Sequence, residues 1–240
     1  FPNFNIVGEI WINEPPLAAY WQKGFNSPDG YESYLPSVID FPFSKSIDLA
    51  IGKDSKPHNI KTLYYTLAQD FVYPEPFNNV IFLDNHDTDR FYGTMGKDMR
   101  KYKMGFALLM INRGIPQMYY GAEINLFGTR AKGDGDIRKD FPGGWAEDKR
   151  NAFTKNGRTK EENDLWDFCS NLLNWRKNNS TIHNGKLMQF NPLDNHVYAM
   201  FRYDDQKVIG LLINPNDKKV NIDTKRYNEL VKNQKQYVDI

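Results

Sequence analysis

Cysteine is almost missing from this 240-residue chain, with Cys169 as its single representative. A lone thiol excludes an internal disulfide and a cysteine-based zinc site, and its place in an apolar helical stripe assigns it to the core. Charge excess is missing as well, with Lys+Arg 31 against Asp+Glu 30. Without a basic stripe or an acidic tail, the composition offers no footprint for nucleic acid and no solvating arm. No apolar run reaches the length needed to cross a bilayer. No secretory leader is visible either, because Phe1 stands just before a strand-like segment. With no initiating Met, the natural N-terminus is expected upstream.

Aromatic residues, by contrast, are plentiful: 14 Tyr, 16 Phe and 5 Trp. Core packing accounts for most of them, and exposed ones suit stacking on apolar faces such as those of sugar rings. The stretch that organises the chain is VIFLDNHDTDRF, Val80 to Phe91. Four apolar residues with β propensity run directly into Asp84, Asn85, His86, Asp87, Thr88 and Asp89, and a short continuous apolar run reads as a fully buried strand. In a barrel of parallel strands the reacting groups sit where such a strand ends, which makes His86 and Asp87 candidates for chemistry. Taken alone, the same residues could simply form a turn that stops the strand.

The rest of the chain weighs on that choice. Strands are expected at Phe4 to Glu9, Ser37 to Asp40, Val80 to Leu83 and Gln117 to Tyr120. Between them helices are expected at Pro16 to Trp21 (stopped by Gly24), His58 to Phe71 and Asp98 to Arg113 (closed by Gly114). A Gly-rich loop from Phe127 to Gly157 precedes a further helix, which opens with Thr159 and Glu162 in capping-box spacing and carries Leu165, Phe168, Cys169, Leu172 and Leu173. Strand starts fall roughly 30 to 45 residues apart, near the ~31 per unit of a ~250-residue, eight-unit barrel. Alternating strands and helices imply a parallel sheet. Each strand ends at or near a carboxylate (Glu9, Asp40, Asp84 with Asp87, Glu123), so these groups gather at one end, as a catalytic reading requires. After about Thr181 the pattern changes to GKLMQF, HVYAMFRY and KVIGLLIN, strand-like runs without helices. Val197, Ala199 and Phe201 alternate with Tyr198, Met200 and Arg202 as in a half-buried antiparallel strand, and Asp204-Asp205-Gln206 supplies a hairpin turn. The expected division is 1–180 and 181–240, the second unit all-β, with too few strands for a complete sandwich and another strand-like piece just before Ile240.

At GEIW (Gly8 to Trp11), FLDNHDTDRF, GIPQMYYGAE (Gly114 to Glu123) and DFPGGW (Asp140 to Trp145) the chain resembles the α-amylase family of glycoside hydrolases, most of all its neopullulanase and cyclomaltodextrinase branch, including bacterial starch-utilisation members. The resemblance covers nearly the whole chain. It implies the second half, strands five to eight, of a TIM-type (β/α)8 barrel followed by part of a C-terminal antiparallel β-sandwich. Glu9 matches the family's general acid/base, Asp87 its transition-state-stabilising carboxylate, and His86 the histidine that hydrogen-bonds sugar hydroxyls. Arg90 lies in the same motif and is grouped with the substrate-contacting positions, without a catalytic role. Asp40, Asp84 and Asp89 are expected to support loops and turns. Trp11, Tyr92 and Trp145 are candidates for stacking on glucose rings, each weighed against plain packing.

A retaining glycosidase protonates the leaving oxygen with one carboxylic acid and attacks the anomeric carbon with a carboxylate. Glu9 should therefore hold a proton near neutral pH in the assembled site, and Asp87 should stay ionised. The family's nucleophile lies on strand four in a motif resembling G-F-R-x-D, to which nothing here corresponds, so the chain alone is expected to be inactive. No metal or cofactor is expected in this chain: His86 and Asp87 as strand neighbours would point to opposite faces, the other histidines (His58, His183, His196) lack ligand spacing, and Gly133 to Asp136 lacks the rest of a calcium loop. Any calcium would belong to the missing part of the parent. The expected partners are α-glucan oligosaccharides and, to cover the exposed sheet edges, the missing barrel half or a second copy. A periplasmic or otherwise secreted location is implied by the resemblance alone. A reading of a different class makes the chain a carbohydrate-binding module without catalysis.

Overall fold

The computed structural model describes residues 4–232. Its first part alternates strands and helices in the order β1 (Val7–Gly8), α1 (Pro15–Ala19), β2 (Ser37–Val38), α2 (Phe41–Ile51), α3 (Lys61–Leu67), β3 (Val80–Phe82), α4 (Phe91–Thr94), α5 (Met99–Ile111), β4 (Ile115–Gln117), α6 (Asp134–Ile137) and α7 (Lys160–Lys177). β1 pairs with β2 and β3 with β4, both parallel. A parallel bridge between Ile39 and Val80 joins the two pairs into one run. The carbonyl ends of all four strands therefore face one way, and Glu9, Asp40, Asp84, Asp87 and Glu123 all follow those ends.

Helix α2 was not expected from the sequence, although Phe43, Ile47, Ala50 and Ile51 are buried on one face. Pro42 stands in its first turn, where its missing N–H costs nothing. Asp40 starts this helix by accepting the Phe43 N–H at 2.9 Å. Its other oxygen takes Arg113 Nη1 at 2.6 Å, and Arg113 also reaches Asp70. Asp40 is thus committed to support. The expected His58–Phe71 helix is broken: a 3-10 turn over Pro57–Ile60 leads into α3, and a second 3-10 turn covers Asp70–Val72. β4 is displaced from its expected Gln117–Tyr120 to Ile115–Gln117, with Pro116 opposite Ile81. As an end strand it can hold a proline that a central strand would reject.

α7 begins as expected, with the Thr159 side chain on the Glu162 N–H and the Glu162 carboxylate on the Thr159 N–H. After α8 (Ser180–Asn184) come β5 (Lys186–Phe190), β6 (Tyr198–Tyr203) and β7 (Val208–Ile213), then α9 (Asn228–Val231). The three strands form one antiparallel sheet in the order β5-β6-β7. The hairpin between β6 and β7 turns on Asp204, which takes the N–H groups of Gln206 and Lys207. β6 is not half-buried as its alternation suggests; both faces are covered. Tyr198 and Met200 join the large apolar cluster that also holds Ile47, Phe106 and Leu109, while Ala199 and Phe201 pack with Tyr227. The strand-like piece near Ile240 lies outside the described residues.

Candidate active site

The apolar strand β3 ends in a turn whose polar groups are fixed locally. The Asn85 N–H bonds Thr88 Oγ1 at 3.0 Å, and the Asp87 N–H bonds Asn85 Oδ1 at 2.9 Å. Because His86 and Asp87 lie in this turn rather than on the strand, their side chains converge instead of opposing each other. His86 Nε2 stands 3.2 Å from Asp87 Oδ2, with both side chains partly open to solvent. Two arginines of the following Gly-rich loop complete the arrangement. Arg138 Nη2 meets Asp87 Oδ1 at 2.7 Å and its Nε donates to the His86 carbonyl at 2.8 Å. Arg130 Nη1 donates to the Asp87 carbonyl at 2.6 Å, and its own N–H donates to Asp89 Oδ1 at 2.6 Å. The sequence reading missed both arginines; the only signal was basic residues in a loop following the last strand.

Trp11 belongs to the same neighbourhood. Its ring stacks on Phe41 at 5.1 Å, and Phe41 in turn meets Phe82 edge-on at 5.0 Å, which ties the ends of β1, β2 and β3 into one aromatic layer. The Arg130 guanidinium lies 6.0 Å over the Trp11 ring, at the outer range of a cation–π contact. One arginine thus bridges the segment carrying Trp11 and Glu9 to the turn carrying Asp87. Trp11 keeps half of its surface open, as a stacking residue requires. Glu9 is exposed and has no hydrogen-bond or ion-pair partner among the described residues. The described residues therefore leave it open to solvent.

Arg90 is a correction. Its side chain is fully closed off from solvent, so it touches no ligand at the surface. It lies 3.6 Å from Asp84 Oδ2, donates to the Tyr120 carbonyl, and stacks over the Tyr119 ring at 4.3 Å. Gly121, at φ 79°, is needed beside it, since a Cβ there would stand 2.9 Å from Arg90 Nη2. Arg90 braces the ends of β3 and β4 from beneath. Asp84 accepts the Phe91 N–H at 2.9 Å, and burial pushes its carboxyl up to about 6 against the pull of Arg90. Burial also raises Glu123. Tyr92 turns away from the cleft, with its hydroxyl donating to Glu161 at 3.1 Å. Trp145 is two-thirds exposed on a loop that Asp148 pins through the Gly143 and Trp145 N–H groups, and its ring meets none of the site residues. Among the described residues no group of three or more His, Cys, Asp or Glu side chains could hold a metal ion, and no helix is long and apolar enough to cross a membrane.

Comparison with known proteins agrees with the architecture. Residues 187–240 match the cyclo-malto-dextrinase C-terminal domain. Alpha-amylase 3 of Dictyoglomus thermophilum is 26% identical over 225 residues, covering 87% of this chain and 42% of that protein. An alpha-amylase of Niallia circulans is 29% identical over 226 residues, covering 88% of this chain and 37% of that protein. Among solved structures, an Anoxybacillus alpha-amylase superimposes with a TM-score of 0.66 at 23% identity, over 90% of this chain and 42% of that one. Over most of its length the chain is thus similar to alpha-amylases, as its motifs suggested, and its C-terminal segment is similar to the C-terminal domain of cyclo-malto-dextrinases. It spans less than half the length of these relatives.

Proposed function

We propose that the chain is the C-terminal part of a retaining α-glucan hydrolase, contributing barrel strands five to eight and the start of the C-terminal β domain. The observation that carries this reading is the bridge made by Arg130, which brings the Glu9–Trp11 segment and the Asp87 turn together at the carbonyl ends of parallel strands. Reacting groups of such barrels sit at that end. In this reading Glu9 protonates the glycosidic oxygen as the bond breaks and then activates water. Asp87 stays ionised between His86 and Arg138, and its hydrogen bonds to sugar hydroxyls strengthen as positive charge grows on the ring. His86 contacts the same sugar, and Trp11 stacks on a neighbouring one.

The nucleophile, and any calcium, belong to an upstream part of the parent polypeptide. That part, or a second copy, covers the free edges of β1 and β4 and closes Glu9 off from water. The substrates are α-1,4-linked, starch-derived glucans such as maltooligosaccharides, cyclodextrins and pullulan, met in the periplasm or outside the cell. The isolated chain, with Trp11 half exposed and one carboxylate of the retaining pair absent, binds glucan without turning it over. The test is hydrolysis of these substrates by the parent polypeptide, with the anomeric configuration followed by NMR. Glu9→Gln is expected to lower turnover by roughly a thousandfold or more, within the range typical of lost acid–base and electrostatic assistance. Full activity in that variant, or Glu9-dependent turnover by the 240-residue chain alone, overturns the reading.

A further inference from the structure

The loop between β1 and β2 holds an aromatic cluster that the chemistry above leaves unused. Tyr20 and Tyr31 stack face to face, with centroids 5.6 Å apart and planes 10° from parallel. Trp21 meets both rings edge-on, at 5.2 Å and 5.7 Å, and Phe25 meets Tyr20 at 5.9 Å. Tyr31 remains 45% exposed at the outside of this stack, and Tyr34 nearby is 74% exposed.

Such surface would ordinarily fold inward or stay mobile, but here the backbone holds it out. Asp29 takes the Tyr20 hydroxyl at 2.8 Å and the Tyr31 N–H at 2.9 Å. Glu32 takes the Gly24 N–H at 3.0 Å and the Tyr34 N–H at 2.9 Å. Tyr34 sits at φ 60°, a left-handed conformation that bulky residues seldom adopt. An outlier of this kind persists only where its surroundings over-determine it. The platform also continues into the candidate site, since Trp21 and Phe25 pack in one cluster with Ile10, the residue between Glu9 and Trp11.

We propose that Tyr31, backed by Tyr20, is a stacking platform for a pyranose ring of an α-glucan, separate from the cleft at Trp11 and Asp87. The apolar C–H face of a pyranose is electropositive and matches the negative face of an aromatic ring. The carboxylates of Asp29 and Glu32 at the rim accept from sugar hydroxyls, the usual pairing of an apolar floor with a few placed polar groups. Because the loop is already ordered, little conformational entropy is lost on binding. The ligand class rests on the α-glucan reading above.

The experiment uses the full chain with Trp11→Ala and Asp87→Ala, which silence the cleft, in affinity electrophoresis through gels containing soluble starch. This background is expected to stay retarded. Adding Tyr31→Ala weakens the association about tenfold, whereas Tyr31→Phe keeps it. Because Tyr31→Ala could disturb the loop, a second measurement uses the unaltered protein: maltoheptaose is expected to protect Tyr31 from nitration by tetranitromethane, read by peptide mass spectrometry. Absence of retardation in the background, no effect of Tyr31→Ala, or no protection of Tyr31 overturns the platform. Each of these outcomes leaves Glu9-dependent turnover by the parent, the test of the hydrolase reading, untouched.

Discussion

The guanidinium of Arg138 closes on the carboxylate of Asp87 at 2.7 Å while its Nε holds the carbonyl of His86 at 2.8 Å. A third contact, from Nη2 to Asp134 at 3.0 Å, anchors the same group to α6. One side chain thereby sets the distance between the polar turn after β3 and the loop that follows β4. Within the hydrolase reading, Arg138 is a positioning residue: it aims the Asp87 carboxylate and fixes the peptide that orients His86.

Arg138→Ala should therefore separate activity from stability. The pairs are partly open to water, where ion pairs contribute on the order of 0–1 kcal/mol, so the melting temperature should move little. A carboxylate free to rotate loses its alignment, and misplacement on the ångström scale costs about a hundredfold in rate. Measuring kcat/KM of the parent polypeptide beside its thermal melt checks this. A large loss of stability with activity lost in proportion would show Arg138 to be a structural brace instead.

Asp48 carries a pH-dependent cost. Burial pushes its carboxyl up to about 6, well above the ordinary aspartate range, opposed in part by the Thr94 hydroxyl, and its Oδ1 finds no hydrogen-bond partner among the described residues. The folded chain therefore holds a proton between about pH 4 and 6 that the unfolded chain has released, and this group's contribution to stability falls as pH rises through that window. Asp48→Asn is expected to stabilise the chain by about 1–3 kcal/mol at pH 7.5 and by almost nothing at pH 4. Urea unfolding at both pH values decides it; an equal difference at the two would mean the carboxylate is not titrating in this range. Asp84 is raised as well, but neutralising it strands the buried Arg90 charge, so Asp84→Asn should not share the benefit.

Features whose cause is local were legible before the structure. Val80 to Leu83 ending in a polar turn, and Thr159 with Glu162 at the start of α7, are each set by residues within a few positions of one another. Those set by distant partners were not. Asp87 meets Arg130 and Arg138 across 43 and 51 residues of chain, and nothing in a loop rich in glycine and charge says which arginine turns inward. Arg90 looked like a ligand contact because it shares a motif with His86 and Asp87. Only the packing of Tyr119, Tyr120 and Asp84 around it reveals a buried brace. Helix α2 was not read from the sequence, although Asp40 is a capping residue and Pro42 falls in the first turn, where a helix accepts proline.

The β sheet is joined to the helical part through a second buried arginine. Arg202, on β6, donates to the carbonyls of Asn112 at 3.0 Å, Ile111 at 3.3 Å and Gly185 at 2.8 Å, with no exposed surface. Arg176, on α7, reaches Met110 and Gly114 at the same helix end. Two cations thus satisfy the last carbonyls of α5, where the helix dipole is negative, although burial and the neighbouring Arg176 pull Arg202 down to about 10. Arg202→Met keeps the apolar stem but leaves three buried carbonyls without donors, at about 1–3 kcal/mol for an unsatisfied buried group. Relief of the desolvation cost of the buried guanidinium offsets part of that penalty, so the expected net loss is about 2–4 kcal/mol. Arg202→Lys should recover little, because one ammonium cannot span carbonyls on both α5 and the segment before β5. Urea titration of the two variants is the check: a lysine variant as stable as the original would mean that charge alone, and not the reach of the guanidinium fork, holds the sheet to α5.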